Sequence, residues 1–182
     1  MPVSLELLSR GPQRPDLLED LVVAEPDLAA TLDRWSVPAP VVVPSDASTG
    51  LPGLEAVAEV LRDDIPAVVE VGPGLASLAG PGPAADRLAD LLAVAAHSGV
   101  GFGSGLVPRC ADAAQVWALL AGAVAAMTGA DVRAAFARPD PARILGLSRP
   151  AREAVRDVVT CVAVPVGTVA TISADLASAG CD

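Results

Sequence analysis

The chain has 182 residues, a formal net charge of −10 and 52% apolar residues. A chain of this length makes one domain, able to bury roughly 70% of its unfolded surface, and this apolar content excludes wholesale disorder. Its 12 basic residues are all Arg, Lys, Asn and Tyr are absent, and His97 is the one histidine; a Schiff-base lysine (hence a pyridoxal phosphate aldimine), a P-loop nucleotide site, a tyrosine acid–base catalyst and a multi-His metal site are therefore excluded.

Strand-like and helix-like stretches alternate along the chain. Met1–Glu6 has no basic start followed by an apolar run, so it does not read as a signal peptide. Leu21–Ala24 reads as a buried strand. Pro26 suits a first helical position, and Leu28, Leu32 and Trp35 fall at helical spacing. Val41–Val43 is the second strand, followed by a loop over 44–50 and a helix over Leu54–Arg62. Ala67–Val71 is the third strand. The Gly- and Pro-rich stretch 72–82 then leads into a helix from Pro83 to His97. Val100–Gly103 reads as a fourth strand and Ser104–Cys110 as its loop. Asp112 and Gln115 have capping-box spacing ahead of a helix to Met127, closed by Thr128-Gly129. Beyond 130, Asp131, Asp140 and Ser148 are helix-start signals, Cys161–Val164 reads as a fifth strand, although periodicity does not separate strand from helix over 158–166, and Gly167–Ala179 as a last helix.

Units of this kind predict a single α/β domain over 1–182, with repeated βα units on a parallel sheet. A complete eight-unit barrel typically takes ~200 or more residues. The expectation is therefore a short or incomplete (β/α)-barrel-like layout with an open edge, which favours a homodimer or another protein partner. Two uncharged stretches, 113–130 and 158–174, fall short of a ~20-residue apolar span and read as core, so no membrane association is expected.

Charge is uneven. Residues 133–156 hold Arg133, Arg138, Arg143, Arg149, Arg152 and Arg156 against Asp140 and Glu153, a stretch suited to a solvated helix surface or to an anionic or acidic partner. The acidic balance argues against general nucleic-acid binding. Cys110, Cys161 and Cys181 form no metal or disulfide framework, which fits a reducing cytoplasm.

Chemistry concentrates in the loops after the strands, where parallel sheets bind ligands. Gly101, Gly103, Ser104 and Gly105, with Arg109, form a candidate anion-binding turn, because a glycine-rich turn lets backbone N–H groups approach a phosphate. The spacing is not the dinucleotide fingerprint, and a purely structural turn is the competing reading. Cys110 precedes a helix beside Arg109, an arrangement that favours thiolate, but His97 falls at the opposite end of the sheet. Asp46 and Glu70 follow neighbouring strands and form a candidate carboxylate pair for acid–base work; Asp46 as a turn-former, and Glu70 paired with an Arg, is the alternative. No resident metal is assigned.

Val69-Glu70-Val71, Gly99–Phe102 leading into a glycine-containing loop, and Cys161, Pro165-Val166, Asp175-Leu176 and Ala179-Gly180 resemble an uncharacterised bacterial hypothetical-protein family of barrel-like βα layout, over residues 20–182. The resemblance implies the fold. That family carries Lys and paired His in the loop after the fourth strand, and Gly103–Arg109 has neither. The expected function is a non-catalytic or degenerate scaffold or accessory protein of bacterial metabolism. The alternative is a small-molecule enzyme, or a binder of an anionic, phosphate-containing metabolite at the strand ends.

Overall fold

The computed structural model describes residues 16–43, 51–62, 67–71, 82–98 and 105–178. Five short strands appear: β1 (Val22–Ala24), β2 (Val41–Val42), β3 (Val69–Val71), β4 (Leu106–Pro108) and β5 (Val162–Val164). A 3-10 turn, Glu25–Asp27, leads into α1 (Leu28–Arg34). α2 (Leu54–Arg62) and α3 (Pro83–Ser98) follow. Four helices then separate β4 from β5: α4 (Ala113–Thr128), α5 (Val132–Ala137), α6 (Pro141–Leu145) and α7 (Arg149–Val158). Finally α8 (Val169–Ser178) follows β5.

All pairing is parallel. Val69 faces Val41 on one side and Leu106 on the other, and Val22 to Ala24 run beside Val162 to Val164. Bridges from Leu106 to Val159 and from Arg109 to Ala163 set β4 beside β5. The strands therefore lie in the order β2-β3-β4-β5-β1. β1 and β2 are the open edges, and there is no closed barrel among the described residues.

This order explains the layers. The chain crosses from β1 to the far edge, then returns strand by strand from β2 to β5. Right-handed crossovers travelling in opposite directions place their helices on opposite faces. Side chains alternate accordingly. Val23, Val68, Val107, Cys161 and Ala163 pack with Leu28, Leu32 and Trp35 of the α1 region. Val22, Val69, Val71, Leu106, Val162 and Val164 pack with a larger core drawn from α2 to α8.

Local chemistry sets the helix ends. Asp112 Oδ1 accepts the Gln115 N–H at 2.8 Å, while Gln115 Oε1 accepts the Ala111 N–H at 2.9 Å, a capping box displaced by one residue. Gly129 closes α4 at φ 70°, a left-handed conformation that favours glycine. Asp131 and Asp140 cap α5 and α6. α4 is uncharged throughout, which suits a helix packed on most sides. At Gly122 it approaches α5 so closely that a Cβ would meet the buried ring of Phe136.

One strand differs from expectation. The fourth strand observed is Leu106–Pro108, inside the predicted loop; the predicted strand at 100–103 lies outside the described residues. Gly105 just before this run and Pro108 at its end read as loop punctuation. In the fold, Gly105 O accepts the Val69 N–H at 2.9 Å, and Leu106 O accepts that of Thr160 at 3.0 Å. Both bonds join β4 to segments distant in sequence, which no local pattern reveals.

Candidate functional site

Glu70 and Arg109, assigned above to separate candidate sites, meet on the α1 face of the sheet. Glu70 stands opposite Val107, so Arg109, two residues further on and just past the end of β4, is its diagonal neighbour. Arg109 Nε donates to Glu70 Oε1 at 2.7 Å, and a second N–H of the same guanidinium reaches the same oxygen. Its remaining arm donates to Glu25 Oε1 at 3.3 Å. Glu25 opens the 3-10 turn after β1, two strands away across β5. Arg109 is opposite Ala163, whose small side chain leaves room for the guanidinium to lie across the sheet. The result is a Glu25–Arg109–Glu70 bridge over the carboxyl ends of the strands, with Glu70 the most buried member. β1 and β5 are adjacent, yet their following helices cover opposite faces. This is the switch point at which open parallel sheets take ligands.

Chemically the bridge is a cation held between two anions. The arrangement neutralises Arg109, so its charge is engaged rather than presented to a free anion. Cys110, the next residue, turns to the other face and joins the main core. Burial, with Asp112 adding to it, pushes its thiol up to about 12. Such a thiol is neutral at physiological pH and behaves as a small apolar side chain. Cys161 is buried on the α1 face and is likewise pushed up to about 12 by burial, against the opposing pull of Arg156. Both are free thiols.

Gly105, the described member of the glycine-rich turn, serves packing. A Cβ there would run into the backbone carbonyl of Asp157 and come within 2.7 Å of Val158 O. Gly101, Gly103 and Ser104, along with Asp46, lie outside the described residues. His97 sits in the last turn of α3, its Nδ1 2.7 Å from Ala93 O. Among the described residues, no group of three His, Cys, Asp or Glu side chains is placed to hold a metal ion.

The arginine-rich segment divides. Arg133 is bonded to Asp86, Arg149 to Glu153 at 2.9 Å, and Arg152 to Asp16 at 3.2 Å and to the carbonyls of Leu145 and Leu147. Arg156 is fully buried rather than solvated. One of its terminal N–H groups reaches the carbonyls of Asp16, Leu17 and Glu19 at 3.0–3.2 Å. Its guanidinium carbon lies 5.4 Å from the centre of the Trp35 ring. Arg138 and Arg143 make no side-chain hydrogen bond or ion pair among the described residues. Both line a groove of about 290 Å³ between α4, α5 and α6. Sequence reasoning missed Glu25 and the burial of Arg156. Glu25 carries no motif, and Arg156 differs from its neighbouring arginines only through contacts with residues 16–19 and Trp35, far away in the chain.

No helix among the described residues is long and apolar enough to cross a membrane. No family model, no curated protein and no solved structure matches the chain, so the resemblance to a barrel-like βα family gains no support from these comparisons.

Proposed function

We infer that the chain is a non-catalytic accessory or scaffold protein that works by associating with another chain, in the first instance its own copy, through the open β2 edge. The observation that carries this reading is the exposure of Val41 and Val42, at 39% and 75%, on an edge strand of a parallel sheet. An apolar edge of this kind is a template for a further strand. The other edge, β1, buries Val22 and Val23 and is contacted by α1 and α8.

The strand ends support the same reading against the enzymatic or anion-binding alternative. Arg109 is occupied by Glu70 and Glu25, and the Cys110 thiol is held neutral. Free buried thiols also suit a reducing compartment such as the cytoplasm. Two strand residues bury far less than the ~1,200–2,000 Å² of a standard stable interface. The contact therefore extends onto flanking surface, and the association is of the exchangeable, micromolar kind.

Sedimentation equilibrium tests this. From low micromolar to submillimolar concentration, the mass is expected to rise from 18.1 kDa toward twice that value. Val42→Lys, which places a charge on the exposed edge, is expected to remain monomeric throughout with an unchanged circular dichroism spectrum. A wild-type monomer at every concentration, or a Val42→Lys dimer as strong as wild type, would overturn the reading.

A further inference from the structure

The groove between α4, α5 and α6 stands apart from the strand ends and from β2. Its floor is the one face of α4 that the other helices leave partly open, with Ala121 and Val124 half-buried and Thr128 exposed. α5 adds Ala134 and Ala135, and Ile144 and Leu147 close the far wall. Among the described residues, no aromatic side chain lines it. At about 290 Å³ it is at the small end of ligand clefts, which run ~300–1,000 Å³, and too small for the face of a partner helix.

Its rim carries four charged side chains, Arg138, Arg143, Asp131 and Asp140. Of the six arginines in 133–156, four are tied to carboxylates, carbonyls or the core. The two that are not, Arg138 and Arg143, are the two that line this groove. The two carboxylates on the same rim are helix caps: one oxygen of Asp131 and one of Asp140 each accept a helix N–H at 3.0 Å, which ties these side chains to the starts of α5 and α6 without removing their charge. A guanidinium offers a planar fork matched to carboxylate or phosphate oxygens. A narrow floor of alanines and branched aliphatics suits an unbranched chain rather than a stacked ring.

We propose that this groove binds a small amphipathic anion, an aliphatic chain ending in a carboxylate or phosphate, with the chain on the α4 floor and the head group between Arg138 and Arg143. The site is independent of the β2 edge, so its test does not depend on self-association.

The test is an NMR titration of isotope-labelled protein with octanoate and with octyl phosphate, below their micelle-forming concentrations. Acetate and inorganic phosphate serve as heads without tails, and octanol as a tail without a head. Saturable shifts are expected at Ala121, Ala134, Arg138, Arg143 and Ile144 with at least one of the two amphiphiles, and which of them binds tighter identifies the head group. The isolated heads are expected to bind at least tenfold more weakly. Arg138→Gln with Arg143→Gln, both exposed positions, is expected to weaken amphiphile binding at least tenfold while leaving octanol binding unchanged. Ala134→Leu, which fills the slot, is expected to abolish binding of both amphiphile and octanol. Three results would overturn the proposal: no saturable shift with either amphiphile, shifts confined to other surfaces, or affinity unaffected by the paired arginine substitutions in a protein whose amide spectrum is otherwise preserved.

Discussion

Arg109 carries its charge between two carboxylates, Arg156 carries its charge into the core, and Cys110 and Cys161 hold titratable protons there. The thiols have the most testable consequence. Their ordinary value is 9.0, and burial raises both to about 12. From pH 9 upward the unfolded chain therefore binds fewer protons than the folded one, and stability falls as pH rises. Each thiol removes up to about 1.4 kcal/mol per pH unit as the window is crossed, and neither removes anything well below pH 9. Arg156 acts oppositely. Burial lowers it to about 10, so its effect begins only above that pH. Urea unfolding between pH 9 and pH 10 isolates the thiols: the wild type is expected to lose stability across this interval, and a Cys110→Ala, Cys161→Ala variant to start lower but lose markedly less. Equal slopes would show that the thiols are not buried as described. The sequence flagged Glu70, Arg109 and Cys110 as residues of interest from their places after strands. Their relation is set by a diagonal across two strands, and no spacing along the chain encodes it. The possibility that Glu70 pairs with an arginine was open from the sequence; which arginine required the register of β3 against β4.

At the scale of elements, helix ends were legible because their signals are local: Asp112, Gly129, Asp131 and Asp140 act on backbone within a few residues. β4 was not, because a three-residue strand that follows Gly105 and ends on Pro108 is made by the neighbours it joins. The α4–α5 contact shows a second non-local rule. Intrinsic propensity makes Gly122→Ala stabilising by about 1 kcal/mol in a helix interior. In this fold a Cβ there would meet the Phe136 ring, with Cδ1 only 2.9 Å away. Overpacking of a core costs about 1–3 kcal/mol, so the net change is expected to be destabilising. Chemical denaturation checks the sign. Phe136→Leu, which withdraws the ring, is expected to make Gly122→Ala less harmful in the double variant than in the single one. A stabilising Gly122→Ala in the wild-type background would contradict the close helix approach.

At the scale of the whole molecule, the sequence indicated a parallel α/β sheet with an incomplete circuit, and the described residues form one, open between β1 and β2. The unequal covering of its faces follows from the direction of the crossovers: a single helix, α1, serves the journey to the far edge, while α2 to α8 layer the return. β2 is left at an edge with its valines exposed, and the reading of this protein as an associating rather than a catalytic molecule rests there. Amide hydrogen exchange of the peptide containing Val41 and Val42, followed by mass spectrometry over a dilution series, addresses that edge directly. The Val41 N–H already bonds to Val68 O at 2.7 Å, so the Val42 amide is the reporter: its protection is expected to rise with protein concentration in step with the dimer fraction and the rise to disappear in Val42→Lys, while protection in α4 stays constant. Exchange at β2 that is the same at every concentration, in a protein whose mass doubles or does not, would contradict association through this edge.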